Sequence, residues 1–61
     1  MKIKHYREER EMTQEDLASF LSVDRSTITK WETGEAMPRA DKLPELARVL
    51  GCSIDELFKE G

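Results

Sequence analysis

Residues 14–33 read QEDLASFLSVDRSTITKWET, and this stretch decides the fold. Leu17, Ala18 and Leu21 recur at helical spacing, and so do Ile28 and Trp31. Between the two sets, Ser22-Val23-Asp24 is too short for anything but a tight turn. At about 100° per residue, Arg25, Ser26, Thr29, Lys30 and Thr33 share one arc of about 140° on the second helix. Ile28 and Trp31 fall on the other side, with Glu32 near them. The second helix therefore has an apolar face that anchors it and a face of hydroxyls and cations that points away. Asp24 is placed to cap its start, and Gly34 supplies the left-handed residue that ends it.

Outward from this pair, three more helices are legible and no strand is. A first helix is expected over about Lys2–Arg10, with Ile3, Tyr6 and Arg7 on one face and Met12 just beyond. Thr13 is an N-cap for the second helix, and Glu15 and Asp16 suit the positive end of its dipole. After Pro38, a fourth helix is expected from about Ala40 to Gly51. Its apolar face is Leu43, Leu46, Ala47 and Leu50, and Pro44 lies in its first turn, where a missing N–H costs little. Ser53-Ile54-Asp55-Glu56 is a capping box that opens a fifth helix carrying Leu57 and Phe58.

The chain has 61 residues, which is the size of one small domain with an economical core. No run of 18 apolar residues is present to span a bilayer. The start, Met-Lys-Ile-Lys-His, lacks the apolar region of a signal peptide. The single cysteine, Cys52, cannot form a disulfide within the chain and fits a reducing, cytoplasmic compartment. An enzyme is not expected. His5 is the only histidine and has no cysteine or acidic partner at a useful spacing. There is no Cys/His cluster for a metal and no glycine-rich phosphate loop, so no cofactor, metal or small-molecule ligand is expected.

The outward face of the third helix has a chemical meaning. Arginine pairs with guanine O6 and N7 in the DNA major groove, and lysine reaches the same acceptors. Hydroxyls contact base edges or phosphates, and a threonine methyl packs on the thymine methyl. Two helices joined by a tight turn, the second bearing such a face, have the physical form of a helix-turn-helix. The net charge of −3 opposes nucleic-acid binding as a sum, but its distribution matters more. Acid concentrates in residues 11–23 and 41–61, whereas Lys2, Lys4, Arg7 and Arg10 outnumber Glu8 and Glu9 at the start.

Over about residues 2–58 the chain resembles the lambda-repressor-like helix-turn-helix family, also called Cro/C1-type or XRE-like. The resemblance rests on Arg7, then Thr13-Gln14-Glu15-Asp16-Leu17-Ala18, then Ser26-Thr27-Ile28-Thr29-Lys30-Trp31-Glu32-Thr33-Gly34 and Pro38. Leu46-Ala47-Arg48-Val49-Leu50-Gly51 and Ser53-Ile54-Asp55-Glu56-Leu57 complete it. The fold implied is all-α, a compact five-helix bundle with the motif formed by helices 2 and 3. The resemblance implies that Arg25, Ser26, Thr29 and Lys30 contact bases. It implies that Gln14, Thr33, Arg39 and Arg10 approach the DNA backbone, and that Arg7 and Glu32 form a structural ion pair. Glu11 and Ser22 depart from it, standing where the family places glycine. A left-handed backbone at either costs on the order of 1 kcal/mol. Glu35 is a further departure, an acid in a loop where a basic or neutral residue favours phosphate approach.

The function expected is therefore a sequence-specific, repressor-type transcriptional regulator that binds double-stranded DNA as a homodimer on an inverted repeat. Leu57 and Phe58 are candidates either for the dimer interface or for closing the core. The alternatives are a protein-interaction or antitoxin-like module with weak DNA affinity, suggested by the acidic balance, or the DNA-binding fragment of a larger regulator. The end at Lys59-Glu60-Gly61 fits either a fragment or a complete small regulator.

Overall fold

In the computed structural model, which describes residues 1–59, helix follows helix with no strand among the described residues. The helices are α1 (Ile3–Glu9), α2 (Gln14–Leu21), α3 (Arg25–Thr33), α4 (Leu43–Leu50) and α5 (Ile54–Phe58). Glu60 and Gly61, on which the reading of the chain end falls, lie outside the described residues.

Each helix starts and stops for a local reason. The Thr13 hydroxyl accepts from the Asp16 N–H, and the Asp16 carboxylate accepts from the Thr13 N–H, closing a capping box on α2. Ser53 and Glu56 repeat the arrangement on α5. Asp24 holds the N-cap backbone conformation of α3, but its side chain makes no cap bond. Its help to α3 is thus its charge at the positive helix end, not the side-chain cap that the sequence predicts.

Three helices end in the same motif, in which the chain turns left-handed and two N–H groups reach back to orphan carbonyls. The N–H of Met12 donates to the Arg7 carbonyl and that of Glu11 to Glu8, while Val23 and Ser22 donate to Ala18 and Ser19. Cys52 and Gly51 close α4 on Ala47 and Arg48. The left-handed residues are Glu11 (φ 55°), Ser22 (φ 57°) and Gly51 (φ 71°). Both departures from glycine thus occupy the strained conformation.

The stretch expected to open the fourth helix is instead a 3-10 turn over Ala40–Lys42, joined to α4. Pro44 has no N–H to give the Ala40 carbonyl. The chain tightens there, and the Lys42 N–H donates to the Arg39 carbonyl at 2.9 Å. The Lys42 ammonium reaches further, to the Leu21 carbonyl at the end of α2 (3.1 Å).

The core draws on every helix: Ile3, Leu17, Ala18, Leu21, Ile28, Trp31, Leu46, Ala47, Leu50 and Leu57. Leu43, expected on the inner face of α4, is only half-buried, because it begins that helix at the edge of the core. Leu57 is fully buried, whereas Phe58 beside it stays 44% exposed. Leu57 therefore closes the core and Phe58 does not. The ends of the bundle are joined, since the Lys2 N–H donates to the Leu57 carbonyl at 2.8 Å.

Candidate nucleic-acid interface

Burial of Ile28 and Trp31 sets the rotation of α3 about its axis. With those two side chains in the core, Arg25, Ser26, Lys30 and Thr33 are exposed and Thr29 is half-buried at the margin toward α2. The Thr33 hydroxyl is already engaged, donating to the Lys30 carbonyl at 3.2 Å and accepting from the Glu35 N–H. Arg39 is exposed beyond the loop that follows α3.

Behind this face lies a continuous set of polar contacts. Arg7 Nε donates to Glu32 Oε2 at 2.7 Å and Nη2 to Oε1 at 3.3 Å, a two-point pairing of α1 with α3. The two side chains are only 10% and 5% exposed. Arg7 Nη1 donates to the Met12 carbonyl at 2.7 Å, so the same guanidinium also ties the turn after α1. The bond to Glu32 raises the Arg7 pKa above its ordinary value, with burial opposing. Gln14, first residue of α2, donates from Nε2 to Glu32 Oε1 at 2.9 Å. Its Oε1 accepts from the Thr29 hydroxyl at 3.1 Å. No buried side-chain polar atom among the described residues lacks a partner.

Gln14, Thr29 and Glu32 thus meet in one cluster with Arg7. Arg10 is not part of it. Its guanidinium lies over Gly51, where an added Cβ would collide with it. There it lines an open groove of about 360 Å³ with Met12, Phe20 and Val49. The linear pattern offers no sign of this packing, nor of the bond from Lys42 to the end of α2, because both join positions far apart in the chain. Cys52 is half-buried, and burial, with Glu56 adding, pushes its thiol pKa up. No group of three metal-ligating side chains occurs among the described residues. No helix among them is long and apolar enough to cross a membrane.

The profile of the helix-turn-helix family matches residues 3–57, which takes in all five helices up to Leu57. The chain belongs to the Cro/C1-type helix-turn-helix family of DNA-binding transcription regulators. Among its relatives, an HTH-type transcriptional regulator of Methanocaldococcus jannaschii is 39% identical over 57 residues, which cover 93% of this chain and 86% of that protein. The HTH-type transcriptional activator BcrR of Enterococcus faecalis is 38% identical over 57 residues, 93% of this chain but 28% of its own length. The 26 kDa repressor protein of Escherichia phage HK022 is 53% identical over 40 residues, 66% of this chain and 17% of its own length. The helix-turn-helix unit thus spans nearly the whole of one relative and a minor part of the other two. In this helix-turn-helix protein, the motif is α2, the turn at Ser22-Val23-Asp24, and α3.

Proposed function

We propose that this chain acts as the sequence-specific DNA-binding unit of a repressor-type transcription regulator, with α3 seated in the major groove of B-form DNA. One observation carries the proposal: Ile28 and Trp31 are locked in the core, and Arg25, Ser26, Thr29 and Lys30 lie on the opposite, outward side of the same helix. Arg25, at the N-terminal end of α3, is assigned to a guanine by bidentate contact, and Ser26, Thr29 and Lys30 to neighbouring base edges. Gln14, Thr33 and Arg39 are assigned to phosphates. Gln14 keeps a second amide proton for that contact after serving Glu32. Arg10, exposed although its guanidinium lies over Gly51, is assigned to a phosphate as well.

The working form is a homodimer on an inverted repeat. The molecule measures 26 × 23 × 20 Å, less than the roughly 34 Å between half-sites one helical turn apart. Two copies side by side fit that spacing. Ile54 and Phe58, four residues apart on α5, are 37% and 44% exposed and form the surface assigned to the dimer. The role is one of binding rather than catalysis, and a partly buried thiol fits a cytoplasmic setting.

Selection of duplexes from a randomised library at about 50 mM salt tests the proposal. The expected result is a palindromic motif in which Arg25→Ala relaxes one base position at a cost of about 1–3 kcal/mol. Failure to enrich any sequence would falsify it and favour a protein-interaction module. Gel filtration across a concentration series tests the dimer. A wild-type chain that stays monomeric both free and on the palindrome sinks that part.

A further inference from the structure

The hydrogen bonds behind α3 have a direction, and that direction reaches its outer face. A guanidinium has only donors and a carboxylate only acceptors. Glu32, already paired with Arg7, takes its remaining bond from Gln14, and only the amide nitrogen can give it. With Nε2 fixed on Glu32, the amide oxygen faces Thr29 and must accept, so the Thr29 hydroxyl donates. The other group within its reach is the Arg25 carbonyl at 3.2 Å, which is also an acceptor. A hydroxyl has one proton. Whichever acceptor takes it, Thr29 has only lone pairs left for anything outside the protein.

We infer that Thr29 reads DNA as an acceptor-only group. It takes a hydrogen bond from an exocyclic amino group, N6 of adenine or N4 of cytosine, and gives none to purine N7, guanine O6 or thymine O4. The inference rests on the proposed seating of α3 in the major groove. It extends the role of Arg7 and Glu32 from stability to specificity, since their charges set the polarity of a side chain that neither of them places on a base. Gln14 is the positioning residue that passes this polarity across α2.

The test uses the palindrome recovered by selection. Each base in turn is replaced, in fluorescein-labelled duplexes, by an analogue lacking one major-groove group. Deoxynebularine lacks the adenine amino group, 2-pyrimidinone deoxyriboside lacks that of cytosine, and 7-deazapurines lack N7. Wild type, Thr29→Val and Thr29→Ser are titrated against the set after melting curves establish that each is folded. Thr29→Ala replaces the valine variant if that one does not fold.

At one position per half-site, loss of the amino group should weaken wild type by about fivefold, the worth of one hydrogen bond. Thr29→Val should be indifferent to that loss, and Thr29→Ser should regain the sensitivity. The inference is overturned if Thr29→Val instead abolishes sensitivity to a 7-deaza substitution, or if it binds every duplex as wild type does. If no duplex enriches in the first place, the major-groove proposal falls and takes this inference with it, an outcome distinct from either of those.

Discussion

Arg7 and Glu32 depend on each other. Each is nearly buried, and each completes the other's hydrogen bonding. Glu32→Ala leaves a buried guanidinium without its carboxylate and an amide proton of Gln14 without an acceptor. A cost of about 3–5 kcal/mol is expected. A chain of this size has on the order of 3–9 kcal/mol in total, so urea unfolding should show much of the stability gone. Arg7→Met combined with Glu32→Leu should recover most of it, because neither charge is then left alone. Glu11 and Ser22 are the opposite case. Both hold a left-handed backbone with a side chain attached, so Glu11→Gly and Ser22→Gly should each stabilise by about 1 kcal/mol. The melting temperature should rise by roughly 4–8 °C for each. A fall in melting temperature for both would show that their side chains make compensating contacts.

Among the α-helices, α5 is the shortest, and a capping box holds its start. The Glu56 carboxylate accepts from the Ser53 N–H, and the backbone and side-chain bonds with Ser53 hold its pKa below the ordinary 4.5. A depressed folded-state value means that the contribution is complete above about 4.5, the unfolded value, and is lost as pH falls through the folded one. Glu56→Gln does not titrate. The stability gap between wild type and this variant should be constant near neutrality and narrow below about pH 4.5, as read from urea melts at stepped pH. A gap that widens in acid would reverse the sign and refute the cap.

Such caps are also what made the elements legible in the sequence. Ser53-Ile54-Asp55-Glu56 carries its own chemistry in four consecutive residues, and Gly34 marks the end of α3 as locally, although Asp24 at its start makes no side-chain cap bond. The start of α4 was less legible, because the tightening at Ala40–Lys42 follows from an absent N–H at Pro44 rather than from a positive signal. The ion pair of Arg7 with Glu32 came from family resemblance, since no local rule joins residues 25 apart. The place of Gln14 between Glu32 and Thr29 was not legible at all, because it exists only once α2 and α3 are packed. For the same reason, nothing in the linear pattern shows that the Arg10 guanidinium lies over Gly51.

For the molecule as a whole, the acidic balance and the proposed DNA surface make opposite demands. With a net charge of −3, long-range attraction to DNA is weak, and affinity depends on the few cations that touch phosphate. Arg39→Ala should therefore weaken binding to all sequences alike and reduce the slope of log K against log salt by about 1. Arg25→Ala should chiefly change the sequence preference. If Arg39→Ala alters preference and leaves the slope intact, the division between phosphate and base contacts is wrong. The bond from the Lys2 N–H to the Leu57 carbonyl bears on a different matter. That amide hydrogen exchanges with solvent deuterium when the bond opens, whether α5 lifts or the first residues fray. Its exchange rate is therefore a gauge of how often the two ends of the chain part, and slower exchange in a dimer joined through α5 would report that clamp tightening.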